Sequence, residues 1–376
     1  MQKPVCDLVL LSWNHLEQTK PCVESLFETT RVLSRLLIVD NGSEAPVRQF
    51  LAGIKPQGAI QEVRLLQNET NEGFPRGMNR GIQESRAAYV CLLNNDLRFT
   101  QGWLEEMLAV AEANPQIGVI NPESSTFGNV PSPGMSLEDH AQRLRSFHGR
   151  YTEVGMCIGF CMLIKRAVLD RVGGLNEGVE RIFFEDEDFC MQAQAAGFLC
   201  AGALASYVFH AEHQTVRKMP EREALFSRNQ RWCEEKWGRR IRIAWPRLEP
   251  VVPGSEELRQ WLTRLVAWAR RRTHVYAYVP TPPEVTADEL FRSVGLVPHA
   301  DIHWRRIPRA AAGLAAAGLI LSRRKKPFDV IAAPDETWQT GIDRLRWWHG
   351  AAVVPAQDED ALTAQWKQKS RSPSSS

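Results

Sequence analysis

Apolar residues in the first half of the chain gather in short runs that stop abruptly at polar ones. Residues 5–11 (VCDLVLL) stop at Ser12-Trp13-Asn14, and 36–39 (LLIV) stop at Asp40-Asn41-Gly42-Ser43. Residues 62–66 (EVRLL) make a third run, and 89–93 (YVCLL) a fourth that ends in Asn94-Asn95-Asp96. Such runs read as strands of a parallel sheet buried on both faces. Between them the apolar spacing changes to three and four. Val23, Leu26 and Phe27 share a face in 17–29, Phe74, Met78 and Ile82 recur every four residues, and Leu104, Leu108 and Ala111 line one side of 101–113. These spacings predict helices, and the strand–helix alternation predicts a Rossmann-like, mostly parallel α/β sheet.

Residues 121–154 break this rhythm with Pro122, Pro131 and Pro133, so a long irregular and functional loop is expected. A strand over 158–164 and a short helix over 166–172, closed by Gly173-Gly174, follow. The apolar triplet Ile182-Phe183-Phe184, with its two aromatic rings, reads as strand-like and leads into Glu185-Asp186-Glu187-Asp188, which opens a helix ended by Gly197. Four adjacent acids repel one another. They suit either a solvated helix amino end or a chemical role. A strand over 207–210 ends in His210, with His213 three residues on, and 222–237 is amphipathic.

In open α/β sheets, ligands bind outside the carboxyl ends of the strands. Asp40 and Asp96 both stand there, where a hard cation and the phosphates it carries could bind. Turn chemistry for Asp40 and helix capping for Asp96 are the plainer readings. The helix from Phe74 points its amino end at the same crevice, which favours an anionic ligand. Gly73, Gly77 and Gly81 allow close backbone approach, but their spacing fits neither GxGxxG nor GxxxxGK[ST].

With 376 residues the chain is long enough for two or three domains. A first domain over 1–243, a Pro-rich linker over 244–256, a small α/β domain over 257–366 and a disordered tail over 367–376 are expected. Helices over 258–271 and 309–321 and strands over 274–279 and 330–333 build the small domain, with 353–354 one more short strand. Its basic clusters Arg270-Arg271-Arg272 and Arg323-Arg324-Lys325-Lys326 read as solvated faces, with peripheral contact to anionic lipid as the alternative.

A net charge of only +2 argues against nucleic acid as a partner. The eight cysteines show no CxxC spacing and read as buried free thiols. The opening MQKPVCDLVLL lacks the features of a signal peptide, and the apolar stretch 310–321 is too short for a membrane span. A cytoplasmic location is expected, with the inner face of the membrane as the one peripheral alternative.

In order, SWN (12–14), VDNGS (39–43), NEGFPRGMNRG (71–81), LLNND (92–96), GFCMLIKRAVLDRVGGLNE (159–177), FFEDEDFC (183–190) and VFH (208–210) resemble the family 2 glycosyltransferases, especially the rhamnosyltransferase-like branch. The resemblance covers residues 4 to about 240. It implies a GT-A fold, a nucleotide-diphospho-sugar donor, Mn²⁺ or Mg²⁺, and a glycan or lipid-linked acceptor in bacterial surface polysaccharide synthesis. By position, Ser12, Asn14, Asp40 and Asn41 match contacts to the base and ribose. Asn71, Gly73 and Asn79 match the loop and helix that hold the donor. Asn94-Asn95-Asp96 stands where the family has its DxD-type motif, so Asp96 resembles the metal ligand and His210 the histidine that completes the site. Glu185-Asp186 matches the ED pair, with Asp186 the general base. The segment 222–237 is expected to cover the acceptor side.

There are departures. Asn94 replaces the first Asp of DxD, which predicts modest metal affinity. Gln192 stands where the family often has Arg, and Ala211-Glu212-His213 replaces the small residues that usually follow the histidine.

Sugar transfer needs a cation at the diphosphate and a base at the acceptor hydroxyl. One base without a covalent nucleophile predicts single displacement with inversion, and like charges are expected to raise the pKa of Asp186. An inactive sugar-nucleotide-binding module would lack the base. A nucleotidyltransferase would need a basic Gly-rich loop near the first strand, and an NAD-dependent oxidoreductase would need GxGxxG there.

Overall fold

A computed structural model describes residues 3–179, 181–211, 221–323 and 325–372. The chain divides into two compact units, Met1–Thr152 with Met156–Arg231, and Glu153–Gly155 with Trp232–Ser376.

The first unit begins β1 (Cys6–Ser12), α1 (Leu16–Thr29), β2 (Ser34–Asp40), α2 (Ala45–Gly53), β3 (Ile60–Gln67), α3 (Phe74–Glu84) and β4 (Tyr89–Asn94). It continues through β5 (Leu97–Phe99), α4 (Trp103–Ala113), β6 (Ile117–Glu123), α5 (Leu137–Leu144), β7 (Tyr151–Val154), β8 (Cys161–Lys165), α6 (Arg166–Val172), α7 (Glu185–Ala195) and β9 (Leu199–His210), and α8 (Arg222–Trp237) follows. The sheet runs in the order β3-β2-β1-β4-β8-β6-β9-β5. β1 to β4 are mutually parallel, as their apolar runs predict. β8 is antiparallel to both β4 and β6, so the sheet is mixed at its centre.

Two faces of β1 and β2 explain why these strands carry no polar alternation. Leu8, Leu10, Leu36 and Ile38 pack with Val23 and Leu26 of α1 and Leu51 of α2 in one cluster. On the other face α3 lies directly on the strands. A Cβ added at Gly81 would sit 2.2 Å from Val9 Cγ1, and one at Gly77 would sit 2.5 Å from Leu11 Cδ1. The close approach these glycines permit is therefore to the sheet.

The charge inside β1 is matched across the sheet. Asp7 pairs in register with Arg35. Arg35 Nε and Nη2 donate to the two carboxylate oxygens at 2.9 Å each. Asp7 Oδ2 also accepts from the backbone N–H groups of Arg86 and Ala87.

The second unit has its own parallel sheet. β10 (Ile241–Pro246), α9 (Glu256–Ala269), β11 (Thr273–Val279), α10 (Ala287–Ser293), β12 (Ile302–Arg306), α11 (Ala312–Leu321), β13 (Val330–Ala333), α12 (Glu336–Asp343), α13 (Arg346–His349), β14 (Ala352–Pro355) and α14 (Glu359–Ser370) follow in sequence. The strand order is β12-β11-β10-β13-β14, all parallel. This corrects two expectations. The linker placed at 244–256 overlaps β10, the central strand, because Pro246 ends a strand here instead of marking irregular chain. The tail placed at 367–376 begins inside α14, whose Leu362 is fully buried in the core of this unit. Residues 373–376 lie outside those described. No helix among the described residues is long and apolar enough to cross a membrane.

Candidate active site

Register sets the first part of the site. Ser12 lies opposite Asp40, and Leu11 lies opposite Asn94, so the ends of β2, β1 and β4 form one polar edge. Ser12 Oγ is buried and has no hydrogen-bond partner among the described residues. Asp40 is fully buried. Its Oδ1 accepts from the Ser43 N–H at 2.9 Å, while Oδ2 has no hydrogen-bond partner among the described residues and lies 3.7 Å from Arg48 Nε. Two adjacent strand ends thus present buried oxygens that accept no hydrogen bond from the described residues, which is costly unless a ligand supplies one.

The amides matched to donor contacts make hydrogen bonds within the protein. Asn41 Oδ1 accepts from Asn68 Nδ2 at 2.8 Å and the Glu72 N–H at 3.1 Å, and its Nδ2 donates to Asn71 Oδ1 and the Gly73 carbonyl. Asn71 Oδ1 also accepts from the Gly73 N–H. Gly73 adopts φ 86°, which permits this tight loop. Asn79 accepts from the Leu175 N–H at 2.8 Å and donates to the Leu175 carbonyl and Glu177 Oε1, so it ties α3 to the 174–177 loop. Asn14 has φ 55°, and its Oδ1 accepts from the Glu44 N–H at 2.8 Å. Asn95 Nδ2 donates to Thr19 Oγ1 at 2.8 Å. Asn94 is half-buried, and its N–H donates to the Phe160 carbonyl at 2.8 Å.

Past Asn94 the chain turns through Asp96 into β5, which pairs antiparallel with β9 and sets Leu97 opposite His210. His210 Nε2 lies 3.1 Å from Asp96 Oδ1. The far side of the ring is fixed: Nδ1 lies 2.9 Å from Thr126 Oγ1, and Phe160 stacks on the imidazole at 5.1 Å with the rings 12° apart. A carboxylate oxygen beside an imidazole nitrogen is a donor set suited to a borderline or hard divalent cation, and a partner on the other ring nitrogen is the usual support for a ligating histidine. The residues present therefore fit Mn²⁺ or Mg²⁺. Glu212 and His213 lie outside the described residues.

The acid pair reaches the same edge through β8. The antiparallel course of β8 brings its entry, Gly159-Phe160, beside the end of β4. The Gly159 N–H donates to Asp186 Oδ2 at 3.2 Å, and the Glu187 N–H donates to Oδ1 at 2.7 Å. Burial pushes the Asp186 carboxyl up to about 6, against the pull of those two backbone donors, and the neighbouring Glu187 adds a smaller push. The cause is thus chiefly burial, where like charge alone was expected. Glu185 is buried, with Oε2 lacking a hydrogen-bond partner among the described residues, and burial and then Asp186 hold its carboxyl well above the ordinary value. Gln192 donates to Asp188 Oδ2 at 3.0 Å, so it steadies the acidic turn in place of an Arg.

The triplet before the acids is not a strand. Phe183 and Phe184 have φ 79° and 72°, and Arg181 has φ 58°. Non-glycine residues there carry strain that the surroundings must hold. Phe226 of α8 packs on both Phe rings, and Asn229 Nδ2 donates to the Ile182 carbonyl at 2.9 Å. Thr126 and Asn229 were not among the expected site residues, whereas Phe160 and Phe226 lie in segments that were. Thr126 lies in the 121–154 segment, where a long irregular loop was expected but β6 ends and α5 and β7 form, and that placement was its one signal.

Parts of the chain are similar to known proteins. Residues 7–173 match the model of glycosyl transferase family 2. An uncharacterized protein of Sinorhizobium fredii is 27% identical over 259 residues, covering 62% of this chain and 28% of its own length. An N-acetylglucosaminyl-diphospho-decaprenol L-rhamnosyltransferase of Mycobacterium tuberculosis is 25% identical over 250 residues, covering 57% of this chain and 78% of its own. Among solved structures, a mannosyltransferase of Pyrobaculum calidifontis in complex with GDP-Man and Mn²⁺ is similar with a TM-score of 0.43 and 16% identity, covering 57% of this chain and 59% of that one. The chain thus spans less than a third of the Sinorhizobium protein. The match to glycosyl transferase family 2 thus covers the segment 7–173, which carries Ser12, Asp40 and Asp96 on one sheet edge.

Proposed function

We propose that the first unit transfers a glycosyl group from a nucleotide-diphospho-sugar to an acceptor hydroxyl, with inversion. The observation that carries this reading is the run of contacts Asp96–His210, Phe160, Gly159 and Asp186, which sets a cation-binding pair and a carboxylate of raised pKa on one polar edge.

In this reading Ser12 Oγ and Asp40 Oδ2 take up hydroxyl or N–H groups of the nucleotide. Asp96 and His210 would hold Mn²⁺ or Mg²⁺, and a single carboxylate beside an imidazole suits Mn²⁺ somewhat better. Such a cation, when bound, offsets negative charge on the departing diphosphate. Asp186, ionised above about pH 6, accepts the acceptor's proton as its oxygen attacks the anomeric carbon. Burial and the neighbouring Asp186 favour the protonated form of Glu185, which limits the charge beside Asp186. The relation to the mycobacterial rhamnosyltransferase favours a glycan linked through diphosphate to a lipid as acceptor, in bacterial surface glycan synthesis, and hexosyl or rhamnosyl transfer. A module that only binds sugar nucleotides would have no use for the strained turn that holds Asp186.

The test is a thermal-shift panel of nucleotide diphosphates and their sugars, with and without Mn²⁺. One nucleotide should raise Tm selectively, because ligand bound to the native state stabilises it. That donor is then assayed for transfer to diphospho-lipid acceptors. A panel without a selective shift overturns the reading.

A further inference from the structure

Spacing along the sequence groups none of the cysteines, yet the fold gathers three. Cys157 precedes β8, Cys190 lies in α7 and Cys200 lies in β9, and their sulfurs are all within 4.8 Å of one another. All eight cysteines are buried and reduced, so this trio is not a pair of half-cystines.

Two N–H groups are directed at these sulfurs. The Cys157 N–H donates to Cys190 Sγ at 3.2 Å, and Gln194 Nε2 donates to Cys200 Sγ at 3.7 Å. Donors aimed at sulfur help a thiolate, as the outer partners of metal-bound thiolates do. Without a cation, burial holds the Cys157 thiol, and the neighbouring sulfurs and burial the Cys190 thiol, well above the ordinary value. The thiols also donate outward, Cys190 to the Cys157 carbonyl and Cys157 to the Ala201 carbonyl, both at 3.6 Å.

We propose that Cys157, Cys190 and Cys200 form a three-thiolate site for one soft divalent cation of the Zn²⁺ and Cd²⁺ class. With metal–sulfur bonds of about 2.3 Å, three thiolates around one ion stand about 4 Å apart, so the trio needs to contract by less than about 1 Å. Binding displaces three S–H protons to solvent and leaves a complex of net charge −1, with no electron transferred. A monovalent ion would leave −2 in the core, which favours a divalent one. Sulfur ligands select against the hard cations that the Asp96–His210 pair suits. The site also has a place in the fold. Cys190 sits on the helix that begins with Glu185-Asp186, and Cys157 stands two residues before Gly159, whose N–H holds Asp186.

The full chain, stripped with chelator under reducing conditions, is refolded with and without Cd²⁺. Ultraviolet thiolate-to-cadmium charge transfer and Tm are followed. One equivalent should bind with a rise in Tm, and Mn²⁺ should give no such absorption. Cys157→Ala and Cys200→Ser should each weaken binding roughly 100-fold, and Gln194→Leu roughly 10-fold. Asp96→Asn and Cys22→Ser should leave it unchanged. If a cysteine variant fails to fold, the half-exposed Gln194 carries the test. No charge transfer at saturating Cd²⁺, or affinity unchanged in folded Cys157→Ala and in Gln194→Leu, overturns the site.

Discussion

His210 Nε2 stands 3.1 Å from Asp96 Oδ1 because the β5–β9 pairing sets the two chain segments side by side. If this pair holds the cation, the Thr126 contact on Nδ1 tunes it. Thr126→Val should lower Mn²⁺ affinity about 10-fold to 100-fold with the fold intact, as loss of an outer partner does elsewhere. Asp96→Asn should abolish it. Isothermal titration of Mn²⁺ in the presence of nucleotide measures both, and donor binding unaffected by excess EDTA would contradict the assignment.

Asp186 should govern turnover and not donor affinity. Asp186→Asn keeps the shape and can still accept from the Gly159 N–H, but it cannot take a proton. We expect kcat to fall by ~10²-fold or more with donor Kd nearly unchanged, and Glu185→Gln to cost less. Steady-state kinetics beside equilibrium binding separate the effects. Near-normal turnover in folded Asp186→Asn would hand the role to another group.

The pH dependence carries a sign of its own. The Asp186 carboxyl rises from 3.8 to about 6 on folding, so activity should be present above about pH 6 and fall as pH drops through it. Stability should move the opposite way. The folded state holds this proton more tightly, so the contribution is full below pH 3.8, is lost as pH rises towards 6, and is flat above. Comparing Tm across this window in wild type and Asp186→Asn isolates the term from other carboxylates.

The Asp7–Arg35 pair should be costly to break from one side. Arg35→Ala leaves a buried carboxylate with only two backbone donors, for about 3–5 kcal/mol of lost stability. Urea unfolding is the measurement, and a loss under about 1 kcal/mol would show that solvent reaches Asp7 freely.

Gly81→Ala tests how tightly α3 lies on β1. The new Cβ would meet Val9 Cγ1 at 2.2 Å, and overpacking of this kind costs about 1–3 kcal/mol. The neighbouring donor loop should shift with it, so nucleotide affinity is worth following in the same variant.

Much of the first sheet was legible because β1, β2 and β4 are buried on both faces and write themselves as apolar runs. β10 was not, since RIAWP mixes charge with proline and the residues after it look like a linker. The reversed direction of β8 left no local mark, because an apolar run looks the same read either way. Among site residues, strand-end acids were visible from where the runs stop. The amides Asn41, Asn71 and Asn79 look the same in sequence whether they brace a loop or bind a ligand, and only their partners tell. Thr126 acts through a contact with a residue far along the chain, which no spacing rule can find.

The pairing of Leu97 with His210 also has a kinetic consequence. Long loops are entropically costly to close before their contacts form, so this junction should come late in folding. During synthesis, Asp96 waits roughly six to twenty seconds for its imidazole at about 5–20 residues per second. A cation or nucleotide therefore cannot nucleate the first unit through this pair. The pair can only reward a chain that has already folded, and a message broken before β9 yields a sheet with its carboxylate and no partner for it.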